Sequence, residues 1–213
     1  MFSNKSMDRR EEEDRIRSEG RLPPGQSLTI KFPVLHYGPV PPFSPATWDF
    51  RVWGEVEEEK SWNWEEFNKL PRTILHMDIH CVTRWSKADT KWEGVSVKTL
   101  VDEGFINPKP TATHVMQHAE YGFTVNLPIE VITQDNFLMA THFNGEPLTV
   151  DHGFPLRGVV GYIPGREDLD TPYFWKGAKW LRSLEFMNKD RKGFWEQSGY
   201  HNRADIWKEE RFG

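Results

Sequence analysis

Cys81 is the only thiol in a chain of 213 residues, and in HMDIHCVTRWSKADTKWEGV it follows His80 and precedes Arg84 by three positions. A lone cysteine has three chemical uses. As a neutral thiol it fills core space like a small apolar group. As a thiolate beside a base it is a nucleophile, and Arg84 would favour that charged form. As a deprotonated soft ligand it holds a thiophilic metal. Nothing around it matches a cysteine-hydrolase pattern. His76 and His80 stand four apart, as do His114 and His118, a spacing that suits zinc on a helix. In a strand, His76, Asp78 and His80 share one face while Cys81 points to the other, which argues against a compact zinc site.

A second group of candidate residues follows. DHGFPLRGVVGY runs from Asp151 to Tyr162, and KGAKWL from Lys176 to Leu181. Arg157 and Lys179 are cations beside glycine turns, an arrangement suited to a phosphate held by guanidinium, ammonium and backbone N–H groups. The plainer alternative is a surface arginine and a snorkelling lysine. His36 and Tyr37 lie in FPVLHYGPVPPF, whose prolines stiffen the loop, and serve either as polar fingers on a ligand or as structural caps.

The elements that must position these residues are short. LTIKFPVLH (28–36) and TWDFRVWGEV read as strands, and GPVPPFSP between them as proline-stiffened coil. Asn63 with Glu66 three residues on is a capping pair for WEEFNKL, a short helix ended by Pro71. TILHMDIH is rich in β-branched and apolar residues and reads as a strand delivering Cys81 at its C-terminal end. Ser96 caps VKTLVDE, which Gly104 closes. Further strands are expected at 113–118, at 137–143 with an Asn144–Gly145 turn into EPLTV, in LRGVVGYI and in KWLRSLEFM. No repeat period appears. The expected fold class is a mixed, strand-rich α+β domain with short helices. Trp48, Trp53, Trp62 and Trp64 read as core and staple.

Composition limits what the whole can be. The hydrophobic fraction of 37% supports one sizeable core, and the net charge of −5 without a dominant basic run does not indicate a nucleic-acid footprint, while leaving room for a local basic pocket that meets an anionic small molecule. One cysteine excludes an intrachain disulfide framework and fits a reducing compartment. The start of the chain shows no secretory signal, and no apolar run approaches the ~20 residues of a bilayer span, so a cytoplasmic protein is expected. Residues 1–27 alternate acid and base and are read as a charged, partly flexible arm or short solvated helix, with the folded domain over 28–213.

Taken in order, FPVLHYGPVPPF, VWGEV, LPRTILHMDIHCVTRWSKADTKWEGV, NGEPLTVDHGFPLRGVVGY, KGAKWLRSLEF and GFWEQSGYH resemble the sulfite-oxidase-fold molybdenum enzymes, in particular compact bacterial members consisting of the molybdopterin-binding domain alone. The resemblance covers about residues 30–203. It implies a molybdenum pyranopterin with Cys81 as its protein ligand. It also implies pterin contacts from His36, Tyr37 and Gly38, from His152 and Arg157, and from Gly177, Ala178 and Lys179. The implied activity is oxygen-atom transfer to or from a small substrate, a sulfite-like oxyanion or an S- or N-oxide, with Arg84 attracting an oxyanion. No haem domain or haem attachment motif is expected, so electrons pass to an external carrier or redox partner. Two other functions stay open: a non-catalytic pterin-binding or interaction protein, and a zinc or cysteine hydrolase.

Overall fold

The computed structural model describes residues 4–213; residues 1–3 of the expected arm lie outside the described residues. In chain order the elements are α1 (Asn4–Ser18), β1 (Ser27–Leu28), β2 (Asp49–Gly54), β3 (Lys60–Asn63), α2 (Trp64–Asn68), β4 (Thr73–His80), β5 (Trp85–Val95), α3 (Val97–Asp102) and β6 (His114–Ala119). There follow β7 (Thr124–Pro128), α4 (Ile129–Ile132), β8 (Phe137–Phe143), β9 (Glu146–Pro147), β10 (Arg157–Val160), β11 (Leu181–Met187) and α5 (Phe194–Gln197). The class is mixed α+β, with strands dominating and short helices between them.

Two sheets form. One runs β1-β5-β8-β10, with β4 on β5 and β9 on β8; the other runs β3-β2-β11-β6-β7. Phe50, Val52, Leu184 and Phe186 of the second sheet join Val95, Phe137, Met139 and Val160 of the first in one buried cluster, so the apolar faces of the sheets close on each other. The local rules hold where they are strongest. Asn63 accepts from the Glu66 N–H while Glu66 accepts from the Asn63 N–H, a complete capping box on α2, and Ser96 accepts from Thr99 at the start of α3.

The strand expected over 28–36 is a strand only at Ser27–Leu28, paired parallel to β5. Beyond Thr29 the chain is irregular; Pro33 has no N–H to offer a ladder. Conversely, β5 was not anticipated, because its sequence is polar. Its buried Ser86 and Thr90 are each hydrogen-bonded, Ser86 to His80 Nδ1 and Thr90 to the Met77 carbonyl.

The helix α1 is charged, with pairs such as Arg15–Glu19 and Arg17–Glu13 at i,i+4 and Ile16 as its buried anchor. After it, Arg21 enters the interior and holds buried Asp78 through two bonds of 2.8 and 2.6 Å. Gln26 then donates to the Cys81 carbonyl at 3.0 Å. The segment before residue 28 therefore supports the Cys81 turn directly.

Candidate functional site

Cys81 is the first residue after β4. Its N–H donates to Trp85 O at 2.8 Å and its carbonyl accepts from Arg84 at 3.0 Å, closing a tight turn that aims Sγ into a cleft of about 280 Å³. Sγ lies 3.2 Å from the Thr83 hydroxyl. Burial pushes the thiol up, and no histidine, lysine or carboxylate bonds it. A nucleophile needs a base within hydrogen-bond reach, so the arrangement does not suit a cysteine hydrolase.

Arg157 opens β10 and is only 2% exposed. Its Nη1 donates to His152 O at 3.0 Å, its Nε to Gly158 O at 3.3 Å, and its guanidinium lies 4.3 Å from the Phe174 ring centroid. No carboxylate pairs with it among the described residues, and burial pulls its pKa down to about 9. Lys179 lines the same cleft; its Nζ donates to Asp151 O at 2.6 Å, and burial together with the Arg157 charge lowers it to about 7. Two cations confined without an acid form a site that calls for an anion. His152 stacks on Phe32 at 3.8 Å with its Nδ1 buried and unpartnered, and burial holds it neutral, at about 4.

Lys176, one turn earlier, is different. It is fully buried, and its Nζ reaches Glu196 at 2.6 Å and the Asn126 side chain and Asn202 carbonyl at 2.8 Å. Its charge is satisfied, and its partners lie beside Trp195 and Tyr200, which face the cleft. Glycine permits the close approach here: a Cβ on Gly177 would fall 2.3 Å from the Gly158 carbonyl oxygen.

Of the expected residues, the fold brings His36, Tyr37, Cys81, His152, Arg157, Gly177 and Lys179 to one cleft. His36 meets the Trp180 ring at 5.1 Å and Tyr37 the Phe194 ring at 4.6 Å. Gly38 supplies a positive-φ turn, and its carbonyl lies 3.0 Å from His36 Nδ1. Ala178 is buried behind the cleft, and its N–H is taken by Gln117, whose other end holds the Lys176 carbonyl. Arg84 does not line the cleft. At φ 74 in the turn, it sends its side chain the other way, to within 4.0 Å of Glu209. An aromatic wall completes the cleft: Trp85, next to the Cys81 turn, stands with Phe32, Phe174, Trp175, Trp195 and Tyr200, and these five escaped the residue-by-residue reading, although the chain's ten tryptophans and 14 phenylalanines signalled such pinning.

Zinc finds no seat. Burial holds the His80 ring neutral, its pKa pulled down to about 3, with Nδ1 on the Ser86 hydroxyl, and His118 bonds Glu185. Among the described residues no group of three or more His, Cys, Asp or Glu is placed to hold a metal. One soft ligand, two unpaired cations and an orphaned ring nitrogen fit a metal that arrives with its other ligands on an anionic, phosphate-bearing carrier.

The chain belongs to the oxidoreductase molybdopterin-binding domain family, whose model matches residues 37–195. It is therefore a molybdopterin-dependent oxidoreductase with a molybdenum pyranopterin as cofactor. It is 43% identical over 194 residues to the uncharacterized oxidoreductase YuiH of Bacillus subtilis, covering 91% of this chain and 92% of that protein. It is 23% identical to the mitochondrial sulfite oxidase of Drosophila melanogaster over 79% of this chain, which spans only 32% of the fly enzyme. The fold is similar to that of the sulfane dehydrogenase SoxCD from Paracoccus pantotrophus, with a TM-score of 0.61 at 19% identity over 77% of this chain and 43% of that one. Among the described residues no helix is long and apolar enough to cross a membrane.

Proposed function

We propose that this oxidoreductase moves an oxygen atom to or from a small substrate at a molybdenum centre ligated by Cys81, exchanging electrons with an external carrier. The observation that carries the reading is Arg157, a buried guanidinium with no carboxylate partner, opening with Lys179 onto the cleft that holds the only thiol. When bound, the cofactor supplies the two-electron redox change and the oxygen-transfer chemistry.

The chain's own residues do the rest. Arg157 and Lys179 hold the cofactor phosphate by charge-assisted bonds, and a bound anion keeps the Lys179 ammonium protonated. His152, held neutral and stacked on Phe32, offers Nδ1 to a pterin edge. His36, Tyr37 and Gly177 close around it. The Cys81 carbonyl and N–H, fixed by Gln26, Arg84 and Trp85, set the direction of Sγ, and the Thr83 hydroxyl donates to the thiolate and tunes it. Because burial disfavours a bare thiolate, the charge on Sγ becomes favourable only when a cation shares it. The aromatic wall keeps bulk water away.

The test is elemental analysis of protein from a host that makes molybdopterin, with turnover measured on sulfite, S-oxides and N-oxides. Near-stoichiometric molybdenum and turnover on one of these classes are expected. Zinc in its place, or molybdenum without oxygen transfer to or from any of them, contradicts the reading.

A further inference from the structure

Resting on the reading above, the groups packed behind the Cys81 turn extend the metal site to the segment after α5. We propose that Arg211 is a positioning residue for the metal ligand, fixing the Val82 carbonyl behind Cys81 and supplying a buried positive charge that raises the reduction potential of the bound metal centre.

Several independent contacts place Arg211. Beyond α5, Asp205 bridges to Pro172 and Phe212 to Tyr200, while the Tyr173 N–H donates to the Ala204 carbonyl and the Ile206 N–H to the Thr171 carbonyl. Ala204 and Ile206 are thereby buried in one cluster with Cys81, Val82 and Tyr173. Arg211 completes the packing. Its Nη1 donates to the Val82 carbonyl at 2.5 Å, its Nη2 to the Pro24 carbonyl at 3.5 Å, and its guanidinium lies 4.9 Å from the Tyr173 ring centroid. The preceding carbonyl, that of Cys81, accepts from Gln26. Consecutive peptides of the ligand turn are therefore held by two side chains, one from before β1 and one from after α5. Ala204 and Glu209 reach φ values of 60 and 52, a left-handed backbone that non-glycine residues keep only where the surroundings hold it.

The charge follows from the same contacts. Arg211 is 6% exposed, so solvent and salt screen it little. Its carboxylate partner Glu209, 3.5 Å from Nη2, is itself exposed and shared with Arg84 at 4.0 Å, so two guanidiniums face one carboxylate and one positive charge is left over. The field reaches the ligand: burial pushes the Cys81 thiol up, and the Arg211 charge acts against that. Reduction adds an electron to the metal–thiolate unit, and a fixed positive charge beside it favours the reduced form. The metal's own positive charge leaves this sign unchanged, because the two states compared differ by that electron alone.

The test is a redox titration of the holoprotein, with molybdenum and pterin content measured first. Dithionite supplies electrons through mediator dyes; one electron takes the metal from the +6 to the +5 state, whose signal is followed by electron paramagnetic resonance. Arg211→Gln keeps an N–H for the Val82 carbonyl and removes the charge. It should shift the one-electron equilibrium toward the oxidised form by about tenfold, or 59 mV to lower potential. Arg211→Lys keeps a charge and should stay within about threefold of wild type on the same scale. Glu209→Gln, on an exposed side chain, removes the offsetting negative charge and should shift the equilibrium the other way. An unmoved potential in Arg211→Gln, or an equal fall in Arg211→Lys, overturns this inference and leaves the cofactor reading standing. If neither Arg211 variant retains molybdenum, Glu209→Gln decides, and an unchanged or lowered potential there overturns the inference. Wild-type protein without molybdenum overturns the cofactor reading and this inference with it.

Discussion

Arg157, the residue proposed to hold the cofactor phosphate, is also a buried charge whose removal can be tested in the apo-protein. Its guanidinium is buried against two carbonyls and an aromatic face, with no carboxylate to neutralise it. A buried ion without a countercharge carries a desolvation penalty of several kcal/mol, which an apolar group of similar length does not. Arg157→Met should therefore leave the urea midpoint of the apo-protein unchanged or raised, while retained pterin falls by about tenfold or more, the equivalent of one lost charge-assisted contact. A less stable apo-protein with full pterin content would contradict this. His152 makes a pH prediction. Its folded pKa of about 4 lies below the ordinary 6.5, so the unfolded chain takes up the proton first. Its contribution to stability is present above the ordinary value and is lost as pH falls through 6.5 toward 4. In His152→Gln the fall in denaturation midpoint across that window should be shallower, as followed by circular dichroism.

At the scale of elements, the buried Lys176–Glu196 pair ties the segment behind β10 to the C-terminal aromatic turn. Removing one partner leaves the other charge buried, so Lys176→Met should cost about 3–5 kcal/mol, and adding Glu196→Gln should restore part of it. Equal losses in single and double variants, measured in urea, would show that the pair does not act as a unit. Sequence reasoning recovered β4 and β8 from their apolar runs and α2 and α3 from their caps, because these signals are local. It missed β5, whose Ser86 and Thr90 are tolerated inside only through hydrogen bonds made by β4. The same limit applies to Arg84. Proximity to Cys81 in sequence suggested a role in the cleft, whereas the turn's positive φ sends its side chain away; Arg84→Ala should leave the Michaelis constant of the holoenzyme unchanged in steady-state assays.

For the whole molecule, the cleft draws on segments from residue 32 to residue 200, and no single stretch would define it. That is why Cys81, Arg157 and Lys179 were legible as separate chemical candidates while their meeting was not. The ordered run of motifs, and then the fold, brought them together. The central claim is that Cys81 Sγ binds the metal, and X-ray absorption at the molybdenum edge tests it most directly. Wild-type holoprotein should show one more sulfur neighbour than Cys81→Ser protein loaded with the same pterin. Identical sulfur shells in the two proteins would contradict the assignment.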